Sequence, residues 1–262
     1  MIRKFFALLR ASWADALAYR GQLFIWVLTG ILPLVMLAVW RTVAADGSIA
    51  GYTSDDFVAY YVGALVLRQL TGAWIIWDME QEIRLGELSP HLLRPYHPLV
   101  RYLTLALSDK PLRMALAVPI IVVTLLLVPS AMPDLDRLSM LVLPPAIVLG
   151  FLVYFLNQVC IGLLSFWWTQ VLAVQDFWFG LYALCSGYLV PLDLFPPQVS
   201  YFIAFLPFRA MLAFQLDLLL GRLDPPAIAL GLAHQLIWAL IFFGLMQLLW
   251  ARGIRRYGAV GA

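Results

Sequence analysis

The sequence predicts an all-α protein built into a membrane, and three observations carry that expectation. Of its 262 residues, 63% are hydrophobic and only 12% are charged, whereas a soluble domain is roughly half apolar and about a quarter charged. The apolar residues gather into runs, several close to the roughly 20 residues a helix needs to cross a bilayer. Short polar stretches separate the runs, and the longest, Asp78 to Arg101 (DMEQEIRLGELSPHLLRPYHPLVR), sits between two of them. A formal charge of +2 gives no argument for nucleic acid. Cys160 and Cys185 both lie in apolar runs and read as small buried residues rather than a disulfide or metal pair. Residues 1–262 read as a single transmembrane unit without a repeat or a soluble domain.

Residues 1–21 are expected to form a helix lying in the membrane interface. Ile2, Phe5, Phe6, Leu9, Trp13, Ala16 and Leu17 follow helical spacing, with Arg3, Lys4 and Arg10 on other faces. Arg10, Asp15 and Arg20 break the apolar run, which argues against a signal peptide. The first span is expected at Leu23–Trp40, with Pro33 inside it, followed by a polar loop holding Asp46, Asp55 and Asp56. The second covers Phe57–Trp77. The polar segment 78–101 follows, continuing amphipathically through Asp109, Lys110 and Arg113. Its first half is rich in helix formers, Glu80 and Arg84 are spaced for an ion pair, and Gly86, Pro90 and Arg94-Pro95 interrupt and end it. Leu85, Leu88, Leu92 and Leu93 give it an apolar side. The third span is expected at Leu112–Val128 and the fourth at Ser139–Phe166, which contains Pro144-Pro145. The fifth is expected at Val171–Val190 and the sixth at Ile228–Trp250. Between the last two, prolines 191, 196, 197, 207, 225 and 226 cut an apolar stretch into pieces too short to cross. Residues 191–226 therefore predict a re-entrant hairpin of two short helices, each opened by a proline.

With six spans both termini share one side. That side receives Arg3, Lys4, Arg10, Arg20, Arg84, Arg94, Arg101, Lys110, Arg113, Arg252, Arg255 and Arg256, and the other only Arg41, Arg137, Arg209 and Arg222. The positive-inside rule then makes the termini and segment 78–101 cytoplasmic and the hairpin external.

The order of these pieces resembles the membrane subunit of a type-2 ABC exporter, the bacterial ABC-2-type permease family. EIRLGELSPHLLRP resembles the segment after the second span in one bacterial branch, and GYLVPLDLFPPQVSYFIAFLPF resembles that branch's outer hairpin. The resemblance implies an export permease of the bacterial inner membrane that hydrolyses nothing itself. Two permeases, identical or different, would pair among the membrane lipids. Separate ABC ATPase subunits would bind ATP and Mg beneath them. No GxxxxGK[ST] phosphate loop occurs in the chain. The resemblance makes the segment after the second span the coupling helix, with Glu80, Glu82, Ile83, Arg84, Gly86, Glu87, Leu88, Leu92, Leu93 and Arg94 as candidate ATPase-coupling residues. The N-terminal helix would be a second contact.

Polar residues inside the spans are the candidate pathway or buried polar groups: Arg68 and Gln69 in the second, Asn157 and Gln158 in the fourth, Gln175 and Asp176 in the fifth, His234 and Gln235 in the sixth. An arginine at mid-span costs about 2.5–3.5 kcal/mol on translocon scales, so Arg68 is expected to face a cavity, a partner or a carboxylate. It reads either as a contact for an anionic substrate or headgroup, or as a structural pair. The others line a cavity or bond helix to helix. His91 and His97 flank the polar segment, but nothing nearby in sequence completes a metal set. Trp74, Trp77, Trp167, Trp168, Trp250 and Tyr257 suit an interfacial belt. An intramembrane enzyme is disfavoured because neither GxSxG nor HExxH is present. An ion-gradient-coupled transporter is disfavoured because Asp176 is the one debatable acid deep in a span. A purely structural assembly subunit is a third alternative.

Overall fold

A computed structural model describes residues 2–18, 32–45, 47–131 and 135–258. Arg20, Asp46 and the first part of the Leu23–Trp40 span lie outside the described residues. Among these residues the chain is helical throughout, and the sole β-type pairing is the isolated bridge Ile49–Tyr52. The helices are α1 (Ile2–Ala18), α2 (Leu32–Val43), α3 (Ser54–Thr71), α4 (Ile76–Arg84), α5 (Ser89–Leu92), α6 (Pro98–Ser108), α7 (Lys110–Leu127), α8 (Arg137–Leu163), α9 (Val171–Cys185), α10 (Pro197–Phe205), α11 (Phe214–Leu219) and α12 (Pro225–Gly253).

Three described helical stretches are long and apolar enough to cross a membrane: Pro98–Leu127, Arg137–Phe166 and Pro225–Gly253. A fourth is obtained if Pro197–Phe205 and Arg209–Leu219, which meet at 84°, count as one broken span. The helices Leu32–Val43 and Val171–Cys185 are apolar but shorter. Two expected spans therefore need correction. The run Phe57–Trp77 is not one helix, because α3 stops at Thr71 and residues 72–75 are non-helical. The run Val171–Val190 stops being helical at Cys185. Hydropathy counts apolar residues but does not see the backbone, and both breaks fall inside apolar sequence.

Polar side chains at the helix starts explain several boundaries. Thr53 and Asp56 form a reciprocal capping box at the start of α3. Asp136 accepts the N–H groups of Leu138 and Ser139, and Asp224 accepts that of Ala227. Pro225 follows directly as the first residue of α12, where its missing N–H costs nothing. The core forms where α8 packs along α12 and against α3, with Tyr60, Tyr61, Tyr154, Tyr182 and Phe57 fully enclosed.

The two expected short helices are present and meet at 84°: Pro197 opens α10, and a π-helical turn at Arg209–Ala213 leads into α11. The second half is clamped inside the bundle, while α10 leaves Tyr201, Phe202 and Phe205 exposed. Gln215 Nε2 and Gln235 Nε2 both donate to the carbonyls of Ala146 and Ala210, at 2.9–3.1 Å, so α8, the π turn, α11 and α12 meet in one buried knot. Gly150 lets the backbones approach there, since a Cβ at that position would lie 1.8 Å from Gln215 Nε2.

The contacts sort the loops into two ends. At one end, Lys4 Nζ donates to Pro95 O, and the Tyr257 hydroxyl accepts the Ser89 N–H, which gathers α1, the polar segment and the C-terminal turn. At the other, Tyr52 donates to Asp193, Arg222 pairs with Asp193 and lies over the Tyr52 ring, and Ser130 donates to Asp55. Desolvation by burial, with the Asp193 carboxylate beside it, raises the Tyr52 phenol well above its ordinary range, so it stays a donor.

Candidate functional site

The segment from Ile76 to Arg94 is built as a braced turn with an exposed tip. α4 buries Ile76, Met79 and Ile83, and packs on α8. The expected pair forms: Arg84 Nε donates to Glu80 Oε1 at 2.5 Å. Glu82 is buried between Arg101 Nη1 at 2.5 Å and the Tyr102 hydroxyl at 2.6 Å, which fixes α4 to α6. Burial raises the Asp78 carboxyl above the usual carboxylate range, and the Glu82 charge adds to the effect.

Gly86 takes φ +78, a left-handed conformation that glycine adopts without strain, and it ends the helix. The helical spacing that aligned Leu85, Leu88 and Leu92 is lost at this turn. Leu88 is 0% exposed and belongs to the chain's own core. It is therefore not part of an outward apolar side. Leu93 is 89% exposed, Leu85 45% and Leu92 37%. Arg84, Glu87 and Arg94 are exposed around them. The candidate coupling residues thus separate into two groups. Glu80, Glu82, Ile83, Gly86 and Leu88 build and brace the turn, whereas Arg84, Glu87, Leu92, Leu93 and Arg94 face outward.

Sequence reasoning missed the braces. Tyr257, expected in the interfacial belt, bonds the N–H and hydroxyl of Ser89. The His97 ring lies 4.6 Å from that of Trp250, and its Nδ1 accepts the Leu99 N–H. Burial lowers the pKa values of both His91 and His97, with the nearby Arg101 and Arg94 adding to the effect at His91. Pairings across more than 150 residues, such as Ser89 with Tyr257, leave no local pattern.

Arg68 is buried, 6% exposed, and because α3 stops at Thr71 it lies in the last turn of the helix rather than at mid-span; no described carboxylate forms an ion pair with it. Its guanidinium sits among aromatic rings: Tyr154 at 4.8 Å, Trp74 and Tyr182 at 5.0 Å, with Phe179 and Tyr188 beyond. Nη2 donates to the Tyr154 hydroxyl at 3.0 Å, while the buried Nη1 has no hydrogen-bond partner. A desolvated cation–π contact contributes about 2 kcal/mol, so two or three of them offset the roughly 3 kcal/mol cost of the site. Gln69 is buried beside it on α3.

The other polar candidates do not converge on Arg68. Gln158 Nε2 donates to Gln175 Oε1 at 2.9 Å and ties α8 to α9. Asn157 is buried with its Oδ1 unpaired. Asp176 is exposed on α9. His234 Nε2 accepts the Trp238 indole N–H at 3.0 Å. Gln235 belongs to the hairpin knot.

The family model described as ABC-2 family transporter protein matches residues 24–261. The chain belongs to that family. As an ABC-2 family member it is a multi-pass membrane permease of an ABC transporter rather than an enzyme, and the family implies association with ABC ATPase partners. No curated protein matches the chain. The match takes in both the braced turn and the clamped hairpin of this ABC-2 transporter protein, and α1 lies outside it.

Proposed function

We propose that the chain is the permease subunit of an ATP-driven exporter. It forms half of a translocation pathway with a second permease, identical or different, and is moved by a separate ATPase that binds ATP and Mg. The observation that carries the reading is the exposed leucine tip on a braced turn. Leu93, with Leu85 and Leu92, fills a groove on the ATPase, and Arg84, Glu87 and Arg94 set register at its rim. Glu80, Glu82, Ile83, Gly86 and Leu88 hold the tip in shape.

In this reading the chain crosses the bacterial inner membrane six times. The crossings run through residues 23–40, α3, the α6–α7 rise, α8, α9 and α12, with the hairpin re-entrant on the outer side. The excess of basic residues on the side of the termini and segment 78–101 supports a cytoplasmic location for them. The exposed apolar side chains Leu230, Ile237, Leu240 and Ile241 of α12 meet lipid or the second permease. Arg68, enclosed by the rings of its own chain, is a structural residue rather than a contact for cargo.

The test is coexpression with a candidate ABC ATPase subunit from the same genome, purification through the permease, and measurement of ATP hydrolysis in lipid. A stable complex with hydrolysis is expected. A purified permease that holds no nucleotide-hydrolysing partner would overturn the reading.

A further inference from the structure

The break between α3 and α4 is the least expected part of the backbone, and basic side chains hold it. Residues 72–75 leave helical geometry, with Gly72 extended at φ −66 and ψ 147. Non-helical backbone within apolar sequence exposes carbonyls that need donors. Lys110 Nζ supplies one to Gly72 O at 2.7 Å. The Lys110 amine also lies 4.4 Å from the centroid of the Phe151 ring on α8. The Arg68 side chain lies against Gly72 so closely that a Cβ there would sit 2.3 Å from Nη1. Trp74, the next ring along the break, has the Arg68 guanidinium at 5.0 Å and that of Arg113 at 5.9 Å, and stacks on Trp77 at 5.6 Å. Arg113 is itself fixed by Asp109 at 2.6 Å. The joint therefore touches α7 through Lys110 and Arg113, and α8 and α9 through the ring cage of Arg68.

We propose that this joint transmits movement of segment 76–94 sideways into α7, with Lys110 and Trp74 as the positioning residues. The proposal rests on the coupling role given to that segment. A flexible link of four residues without these contacts would absorb a displacement of α4. A link whose first carbonyl accepts from Lys110 and whose central ring lies 5.9 Å from the Arg113 guanidinium is tied to α7 beside the direct run through α6, and carries the displacement to α7. Lys110 thus acts on transport without touching the cargo or the ATPase.

Hydrogen–deuterium exchange on the permease–ATPase complex in lipid tests this, comparing the nucleotide-free state with the state trapped by ATP and vanadate. In the unaltered complex, exchange is expected to change in residues 76–94 and in residues 110–127. Lys110→Met removes the donor while keeping chain length, and is expected to retain the ATPase and the response at 76–94 but lose the response at 110–127. Lys110→Arg restores the donor and is expected to recover it. Trp74→Leu, which removes the ring beside the Arg68 and Arg113 guanidiniums, is expected to weaken the same response. An unaltered response of 110–127 in both Lys110→Met and Trp74→Leu would overturn the proposal. Lack of any nucleotide response at 76–94 in the unaltered complex would overturn the coupling role itself, a different failure.

Discussion

The two ends of the molecule handle their short helices in opposite ways. The hairpin spends its polar groups inward: Gln215 and Gln235 share two backbone carbonyls, and the π turn is sealed against α8 and α12. The polar segment braces itself with Glu82, Arg101, Tyr102 and Tyr257 and then leaves Leu93 89% exposed at its tip. Both ends leave apolar side chains out, Tyr201 and Phe202 on the hairpin and Leu93 on the segment, but at Leu93 charged side chains, Arg84, Glu87 and Arg94, stand exposed around the tip. In the proposed reading the hairpin is a fixed part of the bundle and the segment is where the ATPase acts.

The comparison can be broken by substitution, and the largest effect is expected in the hairpin. Gly150→Ala would drive the Gln215 amide off both carbonyls, and is expected to cost about 2–3 kcal/mol in thermal or denaturant unfolding. At the other end, Glu82→Ala removes the shared acceptor of Arg101 and Tyr102 and is expected to cost about 2 kcal/mol, with loosened exchange across 76–92. Glu80→Gln weakens an i,i+4 pair whose arginine is 45% exposed, so about 0.3–0.5 kcal/mol is expected. Leu93→Asp should shift stability least, within about 0.5 kcal/mol, because its side chain touches little of its own protein. A large loss of stability at Leu93, or none at Gly150, would reverse the contrast.

Much of this arrangement was legible before any coordinates. Pro197 and Pro207 announced the hairpin, because a proline ring blocks helix continuation but suits a first turn. The ion pair of Glu80 with Arg84 followed from spacing alone. What escaped was set by long-range packing or by backbone hidden in apolar sequence. Ala73, Trp74 and Ile75 read as more span, yet the helix breaks there, with Lys110 bonding the Gly72 carbonyl and Arg68 lying over the Trp74 ring. Leu88 was placed with Leu85 and Leu92 by periodicity, but the left-handed Gly86 turns it inward. The Arg68 cage draws Tyr154 and Tyr182 from other helices, and aromatic residues in apolar runs announce no such role.

The most direct measurement compares matched acidic substitutions at the two ends, Leu93→Asp and Tyr201→Asp, the latter at a hairpin side chain 70% exposed. Each variant is purified with the partner ATPase identified for the unaltered chain, and bound ATPase and ATP hydrolysis are quantified. Loss of the ATPase with Leu93→Asp and retention with Tyr201→Asp is the predicted result. Retention of a fully active ATPase by Leu93→Asp would contradict the account.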